Sequence, residues 1–166
     1  MKSKDKLDIK EYLEGKVLVK LINEETGEVE LEKEFKNSFV KGFVDRMFNY
    51  YLYGNTNLTS ETGAKYLAVG SNGSATTYTM TKLGSELKRV EFSDVQITGT
   101  NQVKFTAYFN STSFSGTVAE MAIFGEDSAT DSANTGLMFN RVVISPSITK
   151  DNLHGLFIEW TITFSE

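Results

Sequence analysis

The sequence predicts a mainly β protein, an antiparallel, jelly-roll-like β-sandwich with one α-helix near residues 38–53. Three observations point there. His154, Leu156, Ile158, Trp160, Ile162 and Phe164 alternate with Gly155, Phe157, Glu159, Thr161 and Thr163, so a strand over 154–164 has one apolar and one mostly polar face. Residues 102–110 repeat the pattern, with Val103, Phe105, Ala107 and Phe109 on one parity, and offer the partner surface for that last strand. Short apolar runs recur between Gly/Asn/Ser-rich turns, and one stretch alone follows a helical step.

In chain order, residues 1–15 are highly charged and read as an N-terminal arm, with a helical turn considered at 8–13 and Gly15 as the break. A single sandwich domain is expected over 16–166. Lys16 to Ile22 is a strand, Asn23 to Gly27 a turn, and Glu28 to Phe35 the returning strand. Glu28, Glu30, Glu32 and Glu34 line one face of that strand; this is a solvated face that discourages edge pairing, with a cation or basic-partner surface as the sharper alternative. Asn37 or Ser38 caps a helix from Phe39 to about Tyr53, in which Val40, Val44, Met47, Phe48 and Tyr51 form the apolar stripe and Gly54 the stop.

After the loop 54–63 comes a strand at 66–69, then a polar loop at 71–79. In the β segment 86–98, Val90 and Phe92 share one parity while Val95 and Ile97 take the other. The slip marks a bulge or a crossing between sheets. Gly99 to Asn101 turns it into 102–110. Val118 to Phe124 is apolar on both faces apart from Glu120 and so is expected to be covered on both. The loop 125–136 leads to a strand at 137–144, broken at Pro146.

Composition narrows the chemistry. A net charge of −5 with scattered Lys argues against nucleic acid as a partner. No apolar run nears the roughly 20 residues that span a bilayer. The charged opening lacks the apolar core of a secretory leader, and without cysteine there is no disulfide framework or thiolate zinc site; cytoplasmic synthesis is expected. Residues 1–36 hold 18 of the 39 charged side chains, which leaves the rest of the chain Ser/Thr/Asn-rich.

No catalytic, cofactor-binding or metal-binding residue is assigned. His154, the only histidine, has no G-x-S-x-G nucleophile to serve and reads as structural. Asp127 and Asp131 are the oxygen ligands a calcium ion would use in 125–136, but their spacing is not that of an EF-hand. Gly70-Ser71-Asn72-Gly73-Ser74 lacks the Gly-Lys-Ser/Thr of a phosphate loop. Paired acids for glycoside cleavage are not placed in an identifiable cleft. Asn57, Asn72 and Asn110 head glycosylation sequons, and Tyr50, Tyr51, Tyr53 and Tyr78 are candidates for sugar stacking, core packing or an interface.

Several stretches resemble a known set of proteins: Gly-Lys-Val-Leu-Val-Lys-Leu-Ile from Gly15, Lys-Asn-Ser-Phe-Val from Lys36, Lys-Tyr-Leu-Ala-Val-Gly-Ser-Asn-Gly from Lys65, Val-Ala-Glu-Met-Ala-Ile-Phe-Gly from Val118, and Leu-Phe-Ile-Glu-Trp-Thr-Ile-Thr-Phe from Leu156. The succession over 15–164 resembles small structural proteins of tailed bacteriophages and related prophages. The likeness implies a non-enzymatic virion protein that decorates the capsid or belongs to the tail, collar or fibre. It would form homo-oligomers and bind capsid, neck or tail proteins through its surface and its N-terminal arm. It carries over no catalytic residue. The alternative is a carbohydrate- or host-receptor-binding module of a phage tail that presents a glycan to loops 54–63, 71–79 and 125–136; a cell-wall hydrolase is the third reading.

Overall fold

In this computed structural model, which describes residues 13–47, 63–126 and 128–164, the alternating segments become two five-stranded antiparallel sheets packed face to face. The strands are β1 (Leu13–Asn23), β2 (Val29–Lys36), β3 (Ser38–Phe39), β4 (Ala64–Gly70), β5 (Glu86–Glu91), β6 (Asp94–Ile97), β7 (Gln102–Phe109), β8 (Gly116–Gly125), β9 (Leu137–Lys150) and β10 (His154–Phe164), with a helix α1 at Lys41–Met47. The first sheet runs β2-β1-β10-β7-β6 and the second β3-β9-β8-β4-β5.

The parity of β10 sets the core. Leu156, Ile158, Trp160 and Ile162 point between the sheets beside Val17, Val19, Ala107 and Phe109, and meet Leu67, Val69, Val118, Met121, Ile123, Val142, Ile144 and Ile148 of the second sheet. The segment 102–110 is therefore the neighbour of β10, not the layer opposite. It hydrogen-bonds along it with Trp160 against Phe105 and Ile158 against Ala107, while β4, β8 and β9 supply the facing surface. β8 is buried on both faces. Ala122 and Phe124 on its outer side lie in a second cluster with Val40, Ala68, Leu83 and Met138.

Four expectations change. β1 begins at Leu13, which pairs with Phe164 and is 5% exposed, so 13–15 belong to the sheet; residues 1–12, most of the expected arm and of its helical turn, lie outside the described residues. Gly15 is not a break but a close approach, because a Cβ there would collide with the Asn37 side chain. Ser38 and Phe39 pair with Arg141 and Asn140 as a strand, and the helix starts only at Lys41. The open β9 edge supplies backbone partners and a Phe39–Phe43–Phe139 ring cluster, tilted at 5.1 Å and edge-to-face at 5.7 Å between centroids, which outweighs local helical spacing. Residues 48–53 of the expected helix lie outside the described residues.

β9, finally, runs through Pro146. Between the pairs Val118–Ile148 and Glu120–Val143, β8 supplies Ala119 where β9 supplies residues 144–147, a bulge that accommodates a residue with no N–H. The slip at 92–95 is a crossing between sheets: Phe92 N donates to Lys65 O (3.2 Å) beside the second sheet, and Ser93 N to Thr106 O (2.8 Å) in the first.

Candidate functional site

Three buried cations pin loops to the second sheet, Arg141 and Arg89 on its outer face and Lys150 at the end of β9. Arg141 lies opposite Ala122 in the β8–β9 ladder and is fully buried. Its Nε donates to Glu120 Oε2 (2.9 Å), its Nη1 to Ser74 O (2.8 Å) and Thr76 Oγ1 (2.9 Å), and its Nη2 to Asn72 O (2.9 Å). The equally buried Glu120 carboxylate accepts from Ser85 N (2.8 Å), Gly84 N (3.1 Å) and Asn72 N (3.3 Å). A buried ion pair is tolerated only when the remaining donors and acceptors are satisfied, and here the loop 71–85 satisfies them. Gly70 makes room for it, since a Cβ would sit 2.6 Å from Ser85 O.

Arg89 fastens the loop after β8 in the same way. It forms a two-pronged pair with Glu86 (2.6 and 2.8 Å), donates to Thr130 O (3.1 Å) and Thr135 O (2.9 Å), and stacks 4.5 Å above the Phe124 ring. Glu86 in turn accepts from Asn134 N (2.8 Å). Lys150 donates to Phe114 O (2.7 Å), Ser111 O (3.0 Å) and Asp151 O (3.1 Å), and burial pushes its ammonium below the usual lysine range. The polar loops 71–79 and 125–136, read in the sequence as binding loops, are thus tied to the sheet from beneath.

Where the chain crosses between sheets, a groove of about 380 Å³ opens, lined by Ala64, Lys65, Tyr66, Glu91, Phe92, Val95 and Ala129. Tyr66 Oη donates to Glu91 Oε1 (3.2 Å), and burial together with that carboxylate raises the phenol's pKa. The groove runs onto β6. Val95 is 51% and Ile97 83% exposed, although both share the core-facing parity of Phe105 and Val103. Thr98 N donates to Gln102 O (2.9 Å), so ladder alternation turns the N–H and C=O groups of Val95 and Ile97 away from β7 toward the open side. The longer edges carry more charge, Glu30, Glu32, Lys33 and Glu34 on β2 and Lys88 and Glu91 on β5, whereas β6 carries Asp94 alone.

His154 sits at the head of β10, its ring held between Asp151 and Glu30. Asp131 is exposed, Asp127 lies outside the described residues, and among the described residues no three His, Asp or Glu side chains converge to hold a metal ion. Tyr78 is half exposed and accepts from Lys41 N through its carbonyl (2.8 Å); Tyr50, Tyr51, Tyr53, Asn57 and residues 54–62 lie outside the described residues. The carboxylates of β2 face solvent, with Glu32 paired to Lys20 (3.0 Å) and Glu34 to Lys16 (3.8 Å). Among the described residues no helix is long and apolar enough to cross a membrane.

Sequence reasoning passed over Arg89, Arg141 and Lys150. Arg141 alone stands in an apolar run, as Glu120 does; Arg89 lies in a charged strand and Lys150 at a polar strand end, where nothing marks them. Compared with family models, curated proteins and solved structures, the chain has no match.

Proposed function

We propose that this chain is a non-enzymatic structural protein of a tailed-bacteriophage particle, working by surface complementarity with copies of itself and with capsid, neck or tail proteins. The virion assignment rests on the sequence resemblance. The observation that carries the assembly role is the short β6 edge, which turns Val95 and Ile97 out to solvent on a scaffold whose loops 71–85 and 128–135 are pinned from within. An antiparallel second copy with Gln96 on the two-fold axis sets Val95 against the other Ile97, exchanges their outward backbone bonds, and places each Asp94 opposite a neutral Thr98. The contact is short, well below the roughly 800 Å² per partner of a stable complex, so it suits an array of many weak contacts.

The test is particle incorporation. An epitope-tagged chain is expected to co-sediment with particles from a producing lysate and to appear in an electron-microscopy reconstruction at a symmetric position; a tag left wholly in the soluble fraction overturns the reading. Removal of residues 1–12 is expected to leave a folded domain that no longer joins particles, whereas removal of 1–15 also deletes Leu13 from β1 and lowers stability. The groove at Tyr66, Phe92 and Glu91 favours a second reading, a glycan-binding module, because an aromatic wall beside a carboxylate suits a sugar ring. A glycan array with and without calcium separates the two.

A further inference from the structure

We propose that His154 is a pH-operated clasp that fastens the edge strand β2 and the β9–β10 turn to the head of β10. The ring bridges two acceptors: Nδ1 lies 2.5 Å from Asp151 Oδ1, and Nε2 lies 2.9 Å from Glu30 Oε2. Carboxylate oxygens donate nothing once ionised, so holding both at once requires a hydrogen on each nitrogen, which only the imidazolium has.

The backbone is built for this reach. β1 pairs Leu21 with Leu31 and Ile22 with Val29, which leaves Glu30 as the extra residue of a bulge, and Asn23 at the end of β1 lies opposite His154. A bulge re-aims the side chain it carries, and here it sends Glu30 across β1 toward β10. Asn23 Nδ2 holds the other Glu30 oxygen (3.1 Å), and Leu153 N holds Asp151 Oδ1 (2.9 Å), so both carboxylates are fixed before the ring arrives. Glu24 N donates to Leu153 O (3.0 Å), closing the same two turns on one another.

Of the other ionisable groups at this end, Glu25 and Glu28 stand exposed in the β1–β2 turn, and the remaining two are bound to other partners. Glu24 accepts from Tyr108 Oη (2.6 Å) and Ser111 N (2.9 Å), and Lys150 spends its three protons on carbonyls. Asp151 and then Glu30 hold the His154 pKa above its ordinary 6.5, and both carboxylates are themselves held below their ordinary values, chiefly by bonds to His154 and Asn23. Deprotonation removes one N–H and turns a ring lone pair toward a carboxylate. The shorter contact, to Asp151, keeps the remaining N–H on Nδ1, so Nε2 turns its lone pair to Glu30 and the tip of β2 loses its tie to β10.

The chain has one histidine, so its imidazole resonances titrate without overlap. Nuclear magnetic resonance is expected to give a His154 midpoint above 6.5 in the intact protein, displaced downward in Asp151→Asn and in Glu30→Gln. Amide exchange at residues 29–31, corrected for its intrinsic pH dependence, is expected to accelerate above that midpoint in the wild type and to show no such step in His154→Gln. A wild-type midpoint at or below 6.5 overturns the clasp without any variant being made. So does a midpoint unmoved in both variants, or an exchange step that persists in His154→Gln.

Discussion

Arg141 and Glu120 occupy adjacent strands in the most deeply covered part of the second sheet, and each makes the other tolerable. Truncating either leaves an uncompensated buried charge, so Glu120→Ala and Arg141→Met are each expected to cost about 3–5 kcal/mol in urea unfolding. The double change to apolar residues is expected to cost markedly less than the two singles added, because it removes both charges together. The loop 71–85 should nonetheless become protease-sensitive, having lost its pins. In the core, Ile158→Ala and Trp160→Ala are each expected to lose roughly 2–5 kcal/mol, while Thr161→Ala, on the opposite face of β10, changes the unfolding midpoint little. The parity of Ile158 and Trp160 was legible because period-two alternation is a property of the chain alone. Arg89, Arg141 and Lys150 were not, because a strand-borne cation reads the same whether it meets water or a distant loop's carbonyls.

Elements were legible where local pattern and tertiary pairing agree. β10, β7, β2 and β8 fall close to their expected spans, since nothing competes with their alternation. The slip near Asp94 announced a bulge or a crossing, and only the ladder partners of Phe92 and Ser93 decide for the crossing. Phe39 and Pro146 misled in opposite directions. A helical step at Phe39 yielded to pairing with β9, and a strand breaker at Pro146 was absorbed in a bulge. β6 yields a prediction at this scale. Ile97 is the most exposed large aliphatic residue among those described, so Ile97→Lys is expected to leave the thermal midpoint within about a degree while suppressing concentration-dependent association in sedimentation velocity. Unchanged association in this variant removes β6 as the contact.

Over the whole molecule, most of the groups with shifted pKa values gather at one end of the sandwich, where the β1–β2 and β9–β10 turns meet; Tyr66 and Lys41, both raised, lie elsewhere and add only to the alkaline limb. Glu24, Glu30 and Asp151 have folded pKa values below their unfolded ones, so the stability they add is present above the ordinary carboxylate range and is lost as pH falls through the folded values. His154 has a folded pKa above 6.5, so its contribution is complete below 6.5 and is lost as pH rises through the folded value. Tyr108, pushed up to about 12 by burial and by Glu24, adds stability that is present below pH 10 and declines between 10 and 12. The expected profile of urea midpoints is therefore a plateau from mildly acidic pH to about 6.5, an acid fall, a step down as pH rises above 6.5 through the folded His154 value, and a further fall in strong alkali. The intermediate step belongs to the histidine alone, since no other group with a resolved shift has an ordinary value in that range. His154→Gln should flatten it while keeping the acid limb from Glu24 and the alkaline limb from Tyr108. A mutant profile that parallels the wild type across neutrality would place the origin of the step outside this cluster, and a wild type with no step would mean that the clasp carries no net stability.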